Sequence, residues 1–480
     1  YKLKRKRHKG MKDKFKYLIK NTGVLFVSNF ASKILVFLLV PFYTSILSTA
    51  EYGTYDLIYT TVQLIVPILT FNIVDSVIRF SIGNTKDNQD EAFTIGLKYI
   101  FISIVILTIL LFGLKTAGLF DTLTRYGLQF LAIYVSYAIN NLICQFARGI
   151  DDVKGVAFSG VVGTVTMIAL NLIFLLWLHL GLQGYFYAMS ASLLFPAVFL
   201  FIKDKMWQYV DLKSVGVAIR DNEKEMLQYC LPLVFINLSW YINNVSDRYV
   251  VTWMCGIEEN GIYSVSYKIP AILNAIQVVF IQAWQLSAIR EYSSKDGEPF
   301  YRKTYQSAQV VMVTLCSILI AMTKVLSKCL FANEFYNAWK YVPILLIYIV
   351  FNTLSGVIGG VFSATKDSSK LAWTGIIGAG VNVGLNFVLI YQIGTMGAAV
   401  ATVISSITIW EMRFRASRKH MRLRIRLDRH ILQYAILFAQ AVLMIKVVDA
   451  RISIVCQLIG LMGIVLLNMQ EIRSIKNDTI

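Results

Sequence analysis

The stretch EYGTYDL at residues 51–57 returns as ENGIYSV at residues 259–265, an offset of 208 positions. Asn29 returns as Asn237 at the same offset. Agreement at one fixed offset over both a motif and an isolated polar residue indicates an internal repeat. The chain is therefore a duplication, and the two copies begin in equivalent helices.

A second pair of stretches supports the duplication. GVVG at residues 160–163 reappears as GIIG at residues 375–378, and each is followed by a Leu-Asn pair. Both copies consist of long apolar segments. Duplicated helical bundles in lipid are typical of transporters, which hold their site between the halves near the bilayer midplane.

Composition predicts a polytopic membrane protein. Hydrophobic residues make up 56% of the 480 residues, charged residues only 15%, and the mean hydropathy is +0.60. Apolar runs of about 20 residues recur, each long enough to cross a bilayer. Only helices satisfy their own backbone in lipid, so the predicted fold class is all-α, with about fourteen transmembrane helices. The predicted spans are 21–48, 55–82, 94–114, 126–147, 156–180, 183–203, 227–255, 261–289, 304–324, 339–364, 370–392, 395–412, 431–448 and 452–470.

Charge predicts orientation in the cell inner (cytoplasmic) membrane. With the N-terminus in the cytoplasm, most of the 46 Lys and Arg residues fall on the inner side, as the positive-inside rule requires. The net charge of +18 thus reflects topology, and we expect no nucleic-acid partner. Both termini are predicted to be cytoplasmic. We also expect Met11 to be the natural start, with residues 1–10 an upstream extension.

The spans divide into two pseudo-symmetric six-helix lobes around a central cavity, followed by two C-terminal helices. The predicted segments are 1–20 (basic cytoplasmic segment), 21–203 (N-lobe), 204–226 (cytoplasmic linker), 227–416 (C-lobe), 430–470 (two further spans) and 471–480 (cytoplasmic tail).

The sequence lacks the motifs that are typical of several classes of protein. The six cysteines form no CxxC motif and have no histidine at metal-ligand spacing, so we expect neither a metal nor another cofactor. No phosphate-binding loop for ATP is present. No long outer loop with clustered carboxylates interrupts the spans, which weighs against a membrane glycosyltransferase. We therefore expect a protein that is not an enzyme.

Polar residues inside the first span of each copy follow the helical period. An ionisable group at this depth costs at least ~2.5–3.5 kcal/mol, so it must face protein or water. One stripe per helix predicts two walls of a shared cavity. The stripe residues are Asn29, Lys33, Thr44 and Ser48 in the first copy, and Asn237, Tyr241, Asn244, Arg248 and Thr252 in the second.

The second span of each copy adds cations and a proline. Arg79 lies near the inner end of one, and Lys268 in the outer half of the other. Pro67 and Pro270 free backbone carbonyls and permit bends. With Lys33 and Arg248, these cations predict a track for an anionic head group, because Arg binds phosphate bidentately and Lys acts as a point charge.

Structural alternatives remain for each charge. Arg79 is either a ligand or a paired residue at a helix end, and Lys268 also has the length to reach the outer interface. Arg248 lines the cavity or is tied to Asp247. Asp75 and Asp247 are candidates for binding a coupling proton or sodium ion, with salt bridges as the alternative. The glycine runs predict close helix contact.

These residues resemble the Wzx-type oligosaccharide flippases of the multidrug/oligosaccharidyl-lipid/polysaccharide flippase superfamily. The resemblance covers residues 21–470. The motifs that carry it are Asn21–Gly23, Ser28–Phe30, Ala31–Lys33, PFYTSILSTAEYGTYDL (41–57), Ile78–Phe80, ARGIDDVKG (147–155), Asp247-Arg248 and GIYSVSYKIP (261–270).

The resemblance implies a function. Members carry undecaprenyl-pyrophosphate-linked oligosaccharides from the inner to the outer leaflet by alternating access, for cell-surface polysaccharide biosynthesis. It implies membrane lipid, a polysaccharide polymerase and other assembly proteins as partners, and two last spans that guide the lipid tail. Arg79 and Arg248 match the family motifs, while Lys33 and Lys268 rest on helix position. Trp240 or Trp284 would stack on a sugar ring.

Two relatives of the same superfamily are the alternatives. A drug/cation antiporter would have an acidic cavity and about twelve spans, whereas this predicted cavity is basic. A lipid II flippase, which carries a peptidoglycan precursor, would share the cationic cavity. Flipping assays with different head groups separate the polysaccharide and lipid II alternatives.

Overall fold

The computed structural model describes residues 37–119, 121–211, 221–291, 297–365, 367–419 and 427–477. These residues are helical with short connections, and no strand occurs among them. The predicted all-α class is therefore confirmed. Most of the first predicted span, with Asn29 and Lys33, lies outside the described residues, as does the segment 1–20.

Seventeen α-helices follow one another along the described chain. The first eight are α1 (Val40–Ile46), α2 (Thr49–Leu69), α3 (Ile73–Ser81), α4 (Lys86–Thr116), α5 (Asp121–Arg125), α6 (Gly127–Gly149), α7 (Val153–Asn171) and α8 (Gly181–Lys203). The remaining nine are α9 (Asp221–Cys255), α10 (Ile257–Ser266), α11 (Pro270–Glu291), α12 (Gly297–Leu330), α13 (Val342–Ala364), α14 (Ser368–Ile393), α15 (Met396–Ser417), α16 (Leu427–Lys446) and α17 (Ala450–Asn477). A π-helical turn, Leu172–Trp177, extends α7, and 3₁₀ turns lie at Met206–Tyr209 and Asn333–Lys340.

Length and hydropathy identify the membrane spans. Eight described helices are long and apolar enough to cross a bilayer, and two bent helix pairs raise the number to ten. Three more predicted spans coincide with α9, α15 and α16, which do not meet the same criterion. The predicted number of about fourteen is consistent with this count.

The chain forms two compact units. Residues 37–42 and 54–238 belong to the first, and residues 43–53 with the chain from Ser239 onward belong to the second. Helix α9 begins at Asp221, inside the predicted linker 204–226. The lobe boundaries proposed from the sequence stay a prediction.

Both second spans are broken helices. Helices α2 and α3 bend by 62°, at a break where Phe71 and Asn72 adopt left-handed φ angles of 50° and 54°. Helices α10 and α11 bend by 52° immediately before Pro270. The spans predicted at 55–82 and 261–289 are thus each two helices. Pro270 marks its break, as expected, whereas Pro67 lies inside α2, before the break of that pair.

The duplicated motif packs against its own copy within the second unit. A Cβ atom at Gly53 would lie 2.1 Å from the Ile257 carbonyl oxygen, and one at Gly261 would lie 2.0 Å from that of Thr49. Thr49 and Ile257 are themselves 208 positions apart. The contact is therefore self-complementary, like a two-fold interface between subunits, and only glycine permits it at these two positions.

The ARGIDDVKG segment at residues 147–155 connects two helices of the first unit. The Asp152 side chain caps α7 by accepting a hydrogen bond from the Gly155 N–H at 3.0 Å, and it also pairs with Lys203. Burial raises the pKa of Asp152, and the bonds from Lys203 and Gly155 lower it by more, so the net shift is downward. The motif therefore joins the start of α7 to the end of α8.

Side-chain amides attach the last two helices to α12 in the second unit. Gln309 donates to Gln433 of α16, which donates to Asn468 of α17 at 2.7 Å. A second layer follows, where the Ser317 hydroxyl donates to Gln440 at 2.8 Å. Hydrogen bonds between polar side chains are a principal means of joining helices in lipid.

Candidate functional site

The structure describes only part of the predicted site. Lys33 and Asn29 lie outside the described residues. Asn237 is partly buried in α9, and Asn244 lies on the same helix, although its side chain is outside the described part. Arg79, Arg248 and Lys268, with the carboxylates Asp75 and Asp247, are described in full.

Arg79 belongs to the first unit. Its exposed side chain extends from α3 over the ring of Tyr229 on α9, with Cζ 4.6 Å from the ring centroid. Asp75, one turn earlier on α3, accepts a hydrogen bond of 2.6 Å from the Asn72 amide. The salt bridges among the described residues do not include Asp75 with Arg79. The arginine thus contacts a neutral ring, and the carboxylate contacts a neutral amide.

Asp247 is held by three donors inside the second unit. It is 2% exposed. The hydroxyls of Tyr263 and Tyr267, one helical turn apart on α10 and the break after it, donate to the same carboxylate oxygen at 2.7 and 2.8 Å. The backbone N–H of Arg248 donates to the other oxygen at 2.9 Å. Buried carboxylates need such partners, because an unpaired buried charge is strongly unfavourable.

The two cations of the second unit also lie on tyrosine rings. The Arg248 Cζ is 5.4 Å from the centroid of the Tyr267 ring. The Lys268 Nζ is 5.9 Å from that of Tyr52, which belongs to the duplicated motif. Lys268 lies in the break between α10 and α11, where its backbone N–H donates to the Val265 carbonyl at 2.9 Å. All three described cations of the predicted site therefore contact tyrosine faces.

A cavity of about 480 Å³ in the second unit is lined by acidic residues. Glu258, Glu259 and Glu334 lie on its wall beside Thr49. The Glu259 carboxylate accepts from Tyr341 at 3.2 Å and from Thr395 at 3.1 Å. Arg79, Arg248 and Lys268, the predicted cations that the structure describes, are not among its lining residues.

Trp284 differs from the expectation that it stacks on a sugar. It is 3% exposed, and its indole N–H donates to the Val357 carbonyl at 2.9 Å. A Cβ at Gly360 would lie 2.4 Å from the indole nitrogen. The glycine of the 356–360 run therefore accommodates this ring, and Trp284 is a packing residue. The side chain of Trp240 is outside the described part.

Sequence reasoning missed four tyrosines and one arginine. Tyr263 and Tyr267 are four residues apart within GIYSVSYKIP, and this helical spacing could have identified them. No comparable local pattern identifies Tyr52 or Tyr229. Arg413 has no role among the predicted site residues. Its guanidinium donates to the Thr374 hydroxyl at 3.1 Å and to Ser355, which joins α13, α14 and α15.

Known proteins are similar to this chain in sequence and in fold. A family model described as "Polysaccharide biosynthesis protein" matches residues 18–285. The chain belongs to this family. The resemblance noted from the sequence motifs is thereby confirmed at the level of the family.

Solved structures that are similar to this chain include a flippase and a multidrug transporter. The lipid II flippase MurJ, in an inward closed conformation, matches with a TM-score of 0.68 and 14% identity, over 94% of this chain and 99% of that one. An inward-facing multidrug resistance MATE family transporter of the MOP superfamily matches with a TM-score of 0.67 and 16% identity, over 84% and 96%. The fold is thus that of MOP superfamily transporters, and the protein is a multi-pass membrane protein.

One curated relative also matches in sequence. Multidrug and toxin extrusion protein 1 of Rattus norvegicus is 22% identical over 267 residues. The alignment covers 52% of this chain and 46% of that protein, so the chain spans about half the length of this relative.

Proposed function

We propose that this protein flips undecaprenyl-pyrophosphate-linked oligosaccharide units from the inner to the outer leaflet by alternating access, for cell-surface polysaccharide synthesis. Family membership supports a role in polysaccharide biosynthesis. The observation that carries the proposal is Arg248, a guanidinium within a predicted span that lies on a neutral ring next to a fully hydrogen-bonded carboxylate.

The negative charge of the head group determines which side chains bind the substrate. A pyrophosphate carries several negative charges, and its burial without partners would be prohibitive. Arg248 and Lys268 bind the phosphates in this proposal, Arg79 takes up the head group near the inner leaflet, and Lys33 contributes from the first span. Asn29, Asn237 and Asn244 hydrogen-bond sugar hydroxyls. The polyprenyl chain stays in membrane lipid, where its apolar surface is favoured.

Coupling to a proton or sodium gradient belongs to the same proposal. Three hydrogen-bond donors contact the Asp247 carboxylate. These bonds stabilise its negative charge without a bound cation. Asp75 receives one hydrogen bond from Asn72 and is only partly buried. We therefore place the coupling ion at Asp75. We further propose that the protein lies in the cytoplasmic membrane with both termini inside, and supplies a polysaccharide polymerase.

Replacement of Arg248 tests the function directly. In cells that depend on this protein for export, Arg248→Ala should reduce export by roughly 10- to 100-fold, the equivalent of one lost charged hydrogen-bonding group. Arg248→Lys should retain part of the activity, because charge remains while bidentate geometry is lost. Undecaprenyl-pyrophosphate-linked oligosaccharide should accumulate on the inner leaflet. Normal export in both variants would remove Arg248 from the site.

Lipid II flipping is the second candidate, because the lipid II flippase MurJ matches almost the whole chain. Both head groups are pyrophosphates on a polyprenyl chain, so the cations alone do not separate them. Vesicles that contain the purified protein and either lipid II or a lipid-linked neutral oligosaccharide would decide. Our proposal expects faster flipping of the oligosaccharide, and faster flipping of lipid II would favour the second candidate.

A further inference from the structure

Arg413, near the end of α15, is a partly buried guanidinium held by neutral oxygens of two other helices in the second unit. Its Nε–H donates to the Thr374 hydroxyl of α14 at 3.1 Å. Its Nη1 group donates to the Ser355 hydroxyl of α13 at 3.1 Å and to the Ser355 carbonyl at 3.3 Å. The other terminal nitrogen, Nη2, takes part in none of these bonds within the described part of the chain. The side chain is thus fixed in place with one edge of its donors left over.

The positive charge of Arg413 is not neutralised by the residues that the structure describes. None of the salt bridges among them includes Arg413, and no charged side chain in the described ranges acts on it electrostatically. Glu411, the one carboxylate of α15, pairs with Arg415 instead. A guanidinium withdrawn from water without an opposite charge is unfavourable. Arg413 is therefore suited to binding an anion through Nη2.

Further cations lie at the same end of these two helices. The bond from Arg413 to Thr374 places the last turns of α15 beside the first turns of α14. Lys370 lies one turn before Thr374, and Arg418 and Lys419 follow the end of α15. All three side chains are exposed. Clusters of Lys and Arg at the ends of membrane helices, and basic pockets between such helices, bind the head groups of anionic lipids.

The same part of α14 has an exposed apolar surface. Trp373, Ile376 and Ile377 are exposed and lie within one turn of Thr374. Helix α14 is long and apolar enough to cross a membrane, and tryptophan is enriched at the level of the lipid head groups. Acyl chains therefore have an apolar surface beside the cations. A phosphate that carries acyl chains uses both features, whereas a free phosphate would use the cations alone.

From this arrangement we infer that the start of α14 and the end of α15 form a binding site for an anionic phospholipid. Arg413 binds the phosphate through Nη2, Lys370 and Arg418 add positive charge at the head group, and the acyl chains lie on the apolar surface of α14. In the proposed orientation this end is cytoplasmic, where anionic lipids give the leaflet a negative surface potential. This lipid is bound and not transported, so the inference goes beyond the proposed function and does not depend on it.

Native mass spectrometry of the purified full chain tests the site. Titration with phosphatidylglycerol, which is anionic, is compared with titration with phosphatidylcholine, which is zwitterionic. The unsubstituted protein should bind its first phosphatidylglycerol more tightly than its first phosphatidylcholine. Arg413→Gln should weaken phosphatidylglycerol binding roughly tenfold, because one charged hydrogen-bonding group is lost. Arg413→Lys should fall between, since it keeps the charge and loses the geometry of the guanidinium.

Arg415 provides a matched control, because it is exposed, lies on the same helix and is already paired with Glu411. Arg415→Gln should leave phosphatidylglycerol affinity within about twofold, as is typical of a surface ion pair. Melting temperatures measured without added lipid show whether each variant is folded. A lower melting temperature of Arg413→Gln with unchanged phosphatidylglycerol affinity would make Arg413 only a link between helices and would overturn the lipid site.

Inorganic phosphate distinguishes a lipid from a free anion. An excess of it should displace no more phosphatidylglycerol than sodium chloride at equal ionic strength does, and greater displacement would indicate a site for a free anion and overturn the lipid assignment. If Arg413→Gln does not fold, hydrogen exchange of the unsubstituted protein in nanodiscs takes its place. Exchange at the start of α14 should be slower with phosphatidylglycerol than with phosphatidylcholine, and equal exchange would contradict the inference.

Discussion

The same pair of tyrosines occurs in both copies of the duplicated motif and has different neighbours in each. Tyr55 and Tyr59 of the first copy correspond to Tyr263 and Tyr267 at the offset of 208. In the first copy, Tyr55 packs edge-on against Tyr185 at 4.4 Å, and its hydroxyl contacts the sulfur of Met189. In the second copy, the hydroxyls of Tyr263 and Tyr267 donate to the Asp247 carboxylate.

Three equivalent positions carry charged side chains in the second copy only. Leu39 and Val40 stand in the first copy where Asp247 and Arg248 stand in the second, and Thr60 stands where Lys268 stands. The first copy therefore uses its tyrosines for packing, and the second uses them around charge. Duplication kept the helices and the motif, while the ionic chemistry at these positions belongs to one copy only.

The largest effect should come from the feature that both copies share. Gly53→Ala and Gly261→Ala would each place a Cβ about 2 Å from a backbone oxygen, and we expect roughly 2–4 kcal/mol of destabilisation. Thermal unfolding in detergent measures this. Gly375→Ala, where a Cβ meets nothing within 4 Å, is the control and should be neutral or slightly stabilising. Tolerance of one substitution but not the other would show that the crossing is not self-complementary.

The carboxylate that distinguishes the second copy should give the next largest effect. Asp247→Ala removes the carboxylate that accepts from two tyrosine hydroxyls and one backbone N–H, and we expect a loss of about 2–3 kcal/mol. Asp247→Asn keeps one acceptor oxygen and should lose less. Leu39→Ala at the equivalent position of the first copy serves as the comparison, and should act through lost apolar contact alone. Equal melting temperatures for Asp247→Ala and the unsubstituted protein would contradict the network.

The smallest effect should come from the cation in the helix break. Lys268→Ala should reduce export by roughly three- to tenfold, because one point charge near a phosphate contributes about 1 kcal/mol. Thr60, its counterpart in the first copy, bonds to carbonyls of its own helix at 2.7 and 3.1 Å. Thr60→Ala should leave export unchanged. A similar loss in both variants would indicate a structural cause and remove Lys268 from the site.

Hydropathy and periodicity predict much of this architecture, because a helix in lipid must be long and apolar whatever it packs against. They do not locate the break after α2. Pro67 suggested a bend there, but the chain turns at Phe71 and Asn72, whose left-handed conformation has no strong local signal. By contrast, Pro270 marks its break directly, since proline begins a helix more readily than it continues one.

The partners of the charged residues were harder to predict. A salt bridge was one alternative for Asp75, and pairing was one for Arg79. Instead, the Asp75 carboxylate accepts from the Asn72 amide, and Arg79 lies on the ring of Tyr229, 150 positions away. Trp284 is another example, because its pocket depends on Gly360 of a different helix. Local spacing identifies which residues share a face, and long-range packing decides what they contact.

The side-chain hydrogen bonds that join α16 and α17 to α12 predict a sequence difference in homologues that lack these two helices. Loss of α16 and α17 would leave Gln309 and Ser317 facing hydrocarbon instead of Gln433 and Gln440. A relative without these two helices should therefore carry apolar residues at the positions of Gln309 and Ser317. The identity of those two residues would then forecast, from a genome sequence alone, whether a family member ends after twelve crossings or continues to fourteen.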